Sequence, residues 1–517
     1  MGVAGLWPLL KPAQSVTTLT ALSLTKFGAP SRGFRIGIDA SIWFVHAGYG
    51  KEGENPELRT IFFRCAQLLS EGFLPLFVFD GPLRPGVKRG KRINKHGNKL
   101  VTGMQAMIES FGFEYRTAPG EAEAELAFLN RIGVIDGILS DDVDNFLFGA
   151  HTVIRNRSST HAHAKSTIDK AKVYTYILPH HALSDINREE LIFIALCSGG
   201  DYGTGLENCG VKISYGLARA GFGKTLCQAA LTYDKDSDEL QHFLRQWKSE
   251  LAQELKINAS GLLPRKSPKL ASTIPDSFPD IKVLLAYLRP VTSESLGRSA
   301  HYDDLVVNAG GHNRWLKKDP SLPLLAEICE FYFEWGFLES IIKRFRTVIF
   351  HGITLRIMRR ACILKQACEA KPIDFETIRG YFASGDYVFE DTGCPRPEFI
   401  RHASKTRTHE STSHTLEYRV AVDPTILVQL LTCGVKGIRR PDDEDEWAEF
   451  EELENGSSDD EDGVKGRAKK KKHPRPTLSG LLELWLPAVL VKEAVPGLVE
   501  AYEVVQKQKE EKKAGKG

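Results

Sequence analysis

Residues 74–80, Leu-Pro-Leu-Phe-Val-Phe-Asp, form a short apolar run that stops abruptly at an aspartate. The same pattern occurs twice more, where Phe34 to Ile38 is followed by Asp39 and Gly137 to Leu139 is followed by a group of aspartates. Runs of this length and composition predict buried strands. Amphipathic helical stretches lie between them, and this alternation predicts an α/β fold with a mostly parallel, twisted sheet flanked by helices.

The acids that end these strands are the first functional signal. Parallel strands bring their carboxyl ends to one edge of the sheet, where open α/β proteins bind ligands, so Asp39, Asp80, Asp142 and Asp144 are expected there together. Taken singly, each is better explained as a turn or cap residue. Gathered together they repel one another unless cations neutralise them, and oxygen ligands without His or Cys favour Mg²⁺ or Mn²⁺.

Three further acids follow turn residues. Glu121 and Glu123 open an Ala/Leu-rich helix, where acids also serve simply to offset the helix dipole. On a regular helix these two glutamates do not share a face, so their spacing alone does not make them ligands. Asp201 follows the flexible Ser198-Gly199-Gly200 after the apolar helix Glu189 to Cys197, and an ordinary helix C-terminal turn is the simpler interpretation there.

Composition indicates a soluble globular protein of two or three compact units. The chain has 517 residues, of which 42% are hydrophobic and 26% charged. No apolar run approaches the roughly 20 residues that span a bilayer, so no membrane partner is expected. Nine cysteines without paired spacing indicate a reducing compartment.

The net charge of only +2 hides strongly segregated charge. Arg84 to Arg116 holds eight Lys/Arg and two acids, which suits a polyanionic partner. Asp442 to Asp462 holds thirteen acids, and Lys465 to Arg475 follows with seven bases. Residues 441–475 are therefore expected to be a disordered insertion, whose basic run is either a nuclear localisation signal or a solvated linker.

In their order along the chain, these motifs resemble the XPG-type structure-specific 5′ nucleases, the family of flap endonucleases and eukaryotic Holliday-junction resolvases. The resemblance covers roughly the first two thirds of the chain. It is carried by Met1 to Val3 with Leu6-Trp7, Ile38 to Ser41, Val78 to Gly81, Gly120 to Ala124, Ser140 to Asp144, and Gly200 to Tyr202. It implies two Mg²⁺ ions per active site, replaceable by Mn²⁺, surrounded by seven acids: Asp39, Asp80, Glu121, Glu123, Asp142, Asp144 and Asp201.

The resemblance also implies how DNA is held. A helix-two-turn-helix over residues 189–225 is expected to grip duplex phosphates through the turn from Gly205 to Gly210 and through Lys212. Asn208 replaces the middle glycine of the family pattern, which leaves a bound K⁺ as the weaker implication. Gly2 is a further expected DNA contact.

Between Asp80 and Glu121 the family has a helical arch, here short enough to leave room for continuous strands. The arch bases expected near phosphates are Lys88, Arg89, Lys91, Arg92 and Lys95, with Lys88 and Arg92 assigned to the scissile phosphate and so to catalysis. A solvated helical face is the alternative for each of them. Trp43, Phe44 and Val45 are candidates for an apolar wedge against the branch point, with burial in the core as the alternative.

The predicted organisation is a nuclease core over residues 1–345, with an N-terminal region 1–100 and an internal region 115–215. A small chromodomain-like module over residues 346–510, interrupted by the charged insertion, is expected to follow. Its strands are assigned to Phe345 to Ile357 and Leu416 to Val422, and its closing helix begins near Val495.

The resemblance implies an Mg²⁺-dependent endonuclease that resolves four-way junctions by paired symmetrical nicks and also cuts 5′ flaps. Relatives of this kind are monomers in solution, pair on the junction, and act in the nucleus. A flap or repair nuclease of the same family is one alternative. A catalytically silent scaffold that binds branched DNA is another, although such a protein gains nothing from seven gathered acids.

Overall fold

The computed structural model describes residues 2–25, 33–50, 53–88, 90–92, 99–156, 172–177, 186–297, 319–370, 387–389, 395–397, 399–439 and 480–514. Within these ranges no helix has both the length and the apolar character needed to cross a bilayer.

A sheet lies at the centre of the molecule. In the described residues it has seven strands, in the order β1-β9-β8-β7-β2-β3-β6. Strands β8, β7, β2, β3 and β6 pair in parallel, and β9 joins β8 and β1 antiparallel, so the prediction of a mostly parallel sheet is confirmed. The strands of this sheet are β1 (Gln14–Thr18), β2 (Arg35–Asp39), β3 (Leu74–Phe79), β6 (Glu114–Thr117), β7 (Gly137–Leu139), β8 (Thr152–Asn156) and β9 (Lys172–Ile177).

Helices cover both faces of the sheet. Among the described residues before 298, the α-helices are α1 (Leu6–Leu9), α2 (Leu19–Leu24), α3 (Ala40–Ala47), α4 (Pro56–Ser70), α5 (Val101–Ser110), α6 (Ala122–Arg131), α7 (Asp144–Leu147), α8 (Arg188–Ser198), α9 (Val211–Arg219), α10 (Phe222–Thr232), α11 (Asp238–Ile257), α12 (Pro268–Ser272) and α13 (Ile281–Leu288). Those after residue 318 are α14 (Leu322–Tyr332), α15 (Leu338–Val348), α16 (Phe350–Ala370), α17 (Thr425–Thr432), α18 (Ala488–Ala494) and α19 (Pro496–Ala514).

Strand β3 shows why the apolar runs fold as they do. Its side chains alternate between two hydrophobic clusters, with Phe77 and Phe79 in one and Leu76 and Val78 in the other. A strand buried on both faces has to be apolar throughout, which accounts for the unbroken run at 74–79. The sheet therefore separates two cores, and its carboxyl edge stays free for the acids.

Residues 89 and 93–98, in the interval between Asp80 and Glu121 where a helical arch is expected, lie outside the described part of the chain. The described residues of the interval form a two-residue hairpin, β4 (Val87–Lys88) with β5 (Lys91–Arg92), and then helix α5. Met104 and Met107 of α5 are fully buried against the core. Because α5 buries an apolar face, it is a packing helix of the domain, and the described residues of this interval contain no helix in the role of an arch.

The C-terminal part contains a three-stranded antiparallel sheet of β12 (Ile400–Thr408), β13 (Leu416–Val422) and β14 (Leu482–Pro487). A separate pair, β10 (Tyr387–Phe389) and β11 (Pro395–Pro397), precedes it. The predicted strand at 416–422 and the predicted closing helix after Val495 are both confirmed.

The predicted strand from Phe345 to Ile357 is wrong, because this segment lies in α15 and α16. Ile349, Ile353 and Ile357 are buried at a spacing of four residues, which one face of a helix satisfies. The charged insertion predicted at 441–475 lies outside the described residues.

Candidate active site

The parallel strands β2 and β3 deliver the first two acids to one edge of the sheet. Asp39 ends β2, and its Oδ1 accepts a hydrogen bond from the Ser41 backbone N–H at 2.7 Å, so it also caps α3. Asp80 follows β3, and its Oδ2 accepts a hydrogen bond from the Ser41 hydroxyl at 2.8 Å. Ser41 therefore ties the two carboxylates together despite their mutual repulsion.

Strand β7 delivers the next pair to the same edge, beside Asp39. Asp142 accepts a hydrogen bond from the Asp144 backbone N–H at 3.0 Å. Oδ1 of Asp144 accepts one from the Val3 backbone N–H, also at 3.0 Å, so the N-terminal segment closes this side of the site. The other oxygen of Asp144, Oδ2, is buried and has no hydrogen-bond partner among the described residues.

The remaining three acids converge on one lysine. Glu121 stands at the N-cap of α6, Glu123 lies in its first turn, and Asp201 follows α8 after two glycines. The Lys88 ammonium on β4 lies 2.9 Å from Glu121, 2.5 Å from Glu123 and 3.1 Å from Asp201. Glu121 and Glu123 meet the same point, although they do not share a helix face, because Glu121 precedes the helix in extended backbone.

All seven predicted acids belong to this single cluster. Besides its three direct contacts, the Lys88 ammonium partly opposes the rise in pKa that burial causes at Asp39, Asp142 and Asp144. Asp80 joins the cluster through Asp39, with which it interacts repulsively. Six of the seven acids are buried and Asp80 is half-buried. The acids that follow the strands thus lie at the carboxyl edge of the sheet, and the other three lie beside them.

Burial and crowding change the acidity of the cluster. Burial, and then repulsion from Asp80, raises the pKa of Asp39 to about 7. Burial, and then repulsion from Asp142 and Asp201, raises the pKa of Asp144 to about 8. Burial is likewise the main reason that the pKa values of Glu123 and Asp142 are raised. The cluster thus carries negative charge that Lys88 alone does not balance.

The donor set fits hard divalent cations. It consists of carboxylate oxygens without His or Cys, and it includes the unpartnered Oδ2 of Asp144. Within the described ranges, no three side chains of His, Cys, Asp or Glu are arranged closely enough around one point to bind a metal ion as they stand. The Lys88 ammonium lies among the carboxylates as the positive charge that they share.

The glycine at position 2 lies directly against this cluster. Its φ is +79°, and a Cβ atom there would collide with Oδ1 of both Asp142 and Asp144. Only glycine therefore allows the N-terminal backbone to approach the acids so closely.

The other predicted bases are described only in part. Lys91 and Arg92 form β5, but their side chains lie outside the described part of the structure. Arg89 and Lys95 lie outside it entirely. Lys88 is thus the one predicted arch base whose side chain is described, and it points into the acids.

Helices α8 and α9 form the predicted helical hairpin beside the cluster. Between them Gly205 has φ +74° and Asn208 has φ +64°, so Asn208 adopts the left-handed conformation expected of the missing glycine. Gly210 caps α9 and is exposed, as is Lys212 in the first turn of that helix. The backbone N–H groups at this helix start have the character that phosphate oxygens require.

Sequence reasoning missed two tyrosines that support the cluster. The Tyr202 hydroxyl donates a hydrogen bond to Oε2 of Glu121. Tyr287 on α13 is 1% exposed, and its ring lies 4.8 Å from that of Tyr202. A Cβ atom at Gly200 would stand 2.7 Å from the Tyr287 hydroxyl oxygen. Tyr202 adjoins the Asp201 motif and was detectable, whereas no sequence signal links Tyr287 to it.

The candidate wedge residues have different environments. Trp43 is buried edge-on against Phe77, with ring centroids 5.1 Å apart, so it belongs to the core. Phe44 is half-buried, and Val45 is 55% exposed. Only Val45 of the three presents most of its surface to solvent.

Three family profiles match the chain in order. They are the XPG N-terminal domain over residues 1–98, the XPG I-region over residues 112–201, and the Holliday junction resolvase Gen1 C-terminal domain over residues 399–505. The first two matches contain all seven acids of the cluster, and the third contains the C-terminal sheet.

Individual proteins give the same picture. "Flap endonuclease GEN homolog 1" of Mus musculus is 29% identical over 251 residues, which are 44% of this chain and 26% of that protein. The solved Holliday junction-resolving enzyme GEN1 in complex with product DNA and Mg²⁺ has a TM-score of 0.66 at 26% identity, covering 98% of this chain and 100% of that one. The eukaryotic junction-resolving enzyme GEN-1 binding potassium has a TM-score of 0.65 at 26% identity and the same coverage. The chain spans less than two thirds of the length of the curated relatives that it matches.

Proposed function

Because the chain belongs to the XPG-type nuclease family, on its Holliday-junction-resolvase branch, we propose that it is an Mg²⁺-dependent endonuclease for branched DNA. It resolves four-way junctions by paired symmetrical nicks and also cuts 5′ flaps. The observation that carries the proposal is the cluster of seven acids around Lys88 at the carboxyl edge of the sheet.

The seven acids are the residues that would hold two divalent ions. Ser41 contacts both Asp39 and Asp80, Asp142 and Asp144 are joined by a hydrogen bond beside the N-terminal segment, and the other three acids meet at Lys88. A pair of such ions supplies an activated water and stabilises the charge that develops on a phosphodiester during hydrolysis. Mn²⁺ has the same ligand preference and would substitute.

Lys88 has two roles in this proposal. In the free protein its ammonium offsets part of the negative charge of Glu121, Glu123 and Asp201. When cations are bound, they would balance the charge of the carboxylates in place of the ammonium. The flexible Lys88 side chain would then be able to contact the scissile phosphate, together with Arg92. Arg89, Lys91 and Lys95 bind neighbouring phosphates and add affinity that depends on salt.

The helical hairpin positions the duplex. Gly205, Gly210 and Lys212 bind backbone phosphates one after another, and Gly2 lets the N-terminal segment approach the DNA beside the acids. Phosphate contacts of this kind fix register without reading sequence, as recognition by shape requires. We also propose that a K⁺ ion binds between this turn and a DNA phosphate. Asn208 occupies the turn position that is a glycine in the family pattern.

Junction resolution requires two active sites. We infer a monomer in solution and a dimer on the junction, with Val45 toward the branch point. The C-terminal sheet with α19 is assigned as a chromodomain-like module over residues 346–510 that supports DNA binding, and the core is assigned to residues 1–345. Action in the nucleus follows from the substrate, and the basic run after the acidic block is assigned as its localisation signal.

The test compares end-labelled four-way junction, 5′ flap and plain duplex DNA, each with Mg²⁺ or with a chelator. The expected result is Mg²⁺-dependent cutting of both branched substrates, with opposed nicks on the junction and none on the duplex. Cutting of the flap alone would show that the protein is a flap nuclease and not a resolvase. Binding of branched DNA without cutting would show that it is a scaffold.

A matched pair of variants tests the site itself. Asp142→Asn is expected to lower the cleavage rate by at least about a hundred-fold, because it removes a ligand that neutral oxygen replaces poorly. Asp141→Asn is the control, since Asp141 lies next in sequence but pairs with Arg155 at 3.2 Å. An equal loss of cleavage rate in the two variants would contradict the assignment of Asp142 as a metal ligand.

A further inference from the structure

A second cavity lies at the opposite end of the sheet from the acids. Its volume is about 380 Å³, within the range of small-ligand sites. Its walls come from α2, the end of α4, α16 and the C-terminal sheet, and they include Ser23, Glu71, His351, Thr412 and Trp485. Glu71 precedes β3, so the cavity is at the amino end of the strands, where the nuclease core meets the C-terminal sheet.

Arg359 on α16 is the unusual group in this cavity. It is only 1% exposed, and its Nε has no hydrogen-bond partner in the described part of the chain. Its guanidinium fits a slot made by two glycines with positive φ: a Cβ atom would stand 2.8 Å from its Cζ at Gly33 and 2.9 Å from its Nη2 at Gly72. The backbone is thus shaped around this side chain.

No carboxylate of the described residues is among the groups that act on Arg359. Burial, and then repulsion from the buried Arg356, lowers its pKa to about 9. A buried guanidinium without a counter-charge is costly, because it has lost its hydration and gained nothing in exchange.

The other charges of the cavity are already balanced. Glu417 accepts a hydrogen bond from Arg407 at 2.8 Å, and Glu483 lies 3.4 Å from Arg419. Glu71 accepts a hydrogen bond from the Thr20 hydroxyl, and burial raises its pKa, which favours the neutral acid. Burial lowers the pKa of His351, which favours neutral imidazole. Arg359 is therefore the cavity's uncompensated cation.

We propose that this cavity is a binding site for a small oxyanion of the phosphate type, held by the guanidinium fork of Arg359. Arginine presents parallel N–H donors that match two oxygens of such an ion. Thr20, Ser23 and Thr412 add polar side chains to the walls of the same cavity. Because its walls come from both parts of the molecule, the bound ion ties the C-terminal sheet to the nuclease core.

The test measures binding of inorganic phosphate to the intact chain by isothermal titration calorimetry at constant ionic strength, without DNA or divalent ions. One saturable site is expected in the wild type, absent in Arg359→Gln and retained in Arg401→Gln. Arg401 is a suitable control because it is exposed and pairs with Asp423 outside the cavity. A parallel titration with a nucleoside monophosphate identifies the source: tighter binding indicates a phosphate carried on an organic group, and weaker binding indicates the free ion.

Two results would overturn the proposal. One is the lack of any saturable site in the wild type, which would leave a cavity filled by water. The other is unchanged binding in Arg359→Gln, which would place the phosphate elsewhere. If Arg359→Gln does not fold, a crystal of the wild type grown in phosphate decides the matter, since the ion must lie within hydrogen-bond distance of the Arg359 Nη atoms.

Discussion

Protons on Asp39 and Asp144 make the acidic cluster sensitive to pH. Their pKa values in the folded chain, about 7 and about 8, lie above the ordinary value of 3.8. Between that value and the raised ones the folded state binds more protons than the unfolded state, so stability falls as the pH rises through this window.

We therefore expect the melting temperature in chelator to fall between pH 5 and pH 8.5, and the stabilisation by Mg²⁺ to grow over the same range. The measurement is a thermal melt across pH with and without Mg²⁺. The double variant Asp39→Asn with Asp144→Asn should show a flatter dependence. A Mg²⁺ effect that shrinks with rising pH would contradict the assignment of these groups.

The close approach of Gly200 to Tyr287 gives the first residue of the Gly200 to Tyr202 motif a structural role. Gly200→Ala should destabilise the fold by about 1–3 kcal/mol, because its new Cβ would press on the buried Tyr287 hydroxyl. In a Tyr287→Phe background the same substitution should cost far less, and urea unfolding of the four proteins measures the coupling. An equal cost in both backgrounds would mean that the hydroxyl does not limit this position.

The sequence predicted the acids of the cluster, but it did not predict which side chains contact or support them. Six of the acids follow a strand or open a helix, and Asp201 follows a helix and two glycines, so their positions could be predicted from local patterning and from the family resemblance. The insertion of Lys88 among three carboxylates depends on how a hairpin folds over the site, and Tyr287 arrives from a helix outside every motif. Such contacts between distant segments leave no local pattern.

Among the elements, the turn between α8 and α9 offers a matched pair of glycines. Gly205 has φ +74°, and a Cβ atom there would collide with the backbone of Gly199 and Cys197. Gly210 has φ −71° and open space around it. Gly205→Ala should lower the free energy of unfolding by about 1–3 kcal/mol, and Gly210→Ala should change it by no more than about 0.5 kcal/mol.

Denaturant unfolding of the two variants measures this difference. Equal effects on stability would show that the turn does not hold the conformation described for Gly205. Junction affinity is a separate readout, since the Gly210 backbone is itself proposed to bind phosphate.

The elements that sequence predicted well are those with one strong signal. The unbroken apolar run of β3 follows from burial on both faces, and α8 carries a capping box at Asn187 before a buried apolar stretch. The segment from Phe345 to Ile357 misled because its apolar residues fit either a buried strand or a buried helix. The expected arch rests on family resemblance and stays a prediction, because part of its interval lies outside the described residues, whereas Met104 and Met107 form a buried helical face.

At the scale of the whole molecule, the C-terminal sheet shares a core with the nuclease part. One hydrophobic cluster contains Phe62 of α4, Ile353 of α16, Val420 of β13 and Leu490 of α18. Each such residue contributes about 1.5–3 kcal/mol when fully buried. The C-terminal part therefore stabilises the core as well as extending it.

A chain ending at residue 398 should melt more than about 5 °C below the full chain and bind a hydrophobic dye, because part of that cluster becomes exposed. Calorimetry and dye binding on the two proteins check this expectation. An unchanged melting temperature would mean that the C-terminal part is an independent module joined only by its linker.

In the function that we propose, one acidic cluster per chain, with divalent ions bound, hydrolyses one strand while a second chain cuts the opposite strand. The most direct measurement uses a supercoiled plasmid that extrudes a cruciform, incubated with the protein and Mg²⁺. We expect linear plasmid as the main early product, and no cleavage with chelator or with Asp144→Asn. Accumulation of nicked circles alone, or linear product from Asp144→Asn at the wild-type rate, would contradict the account.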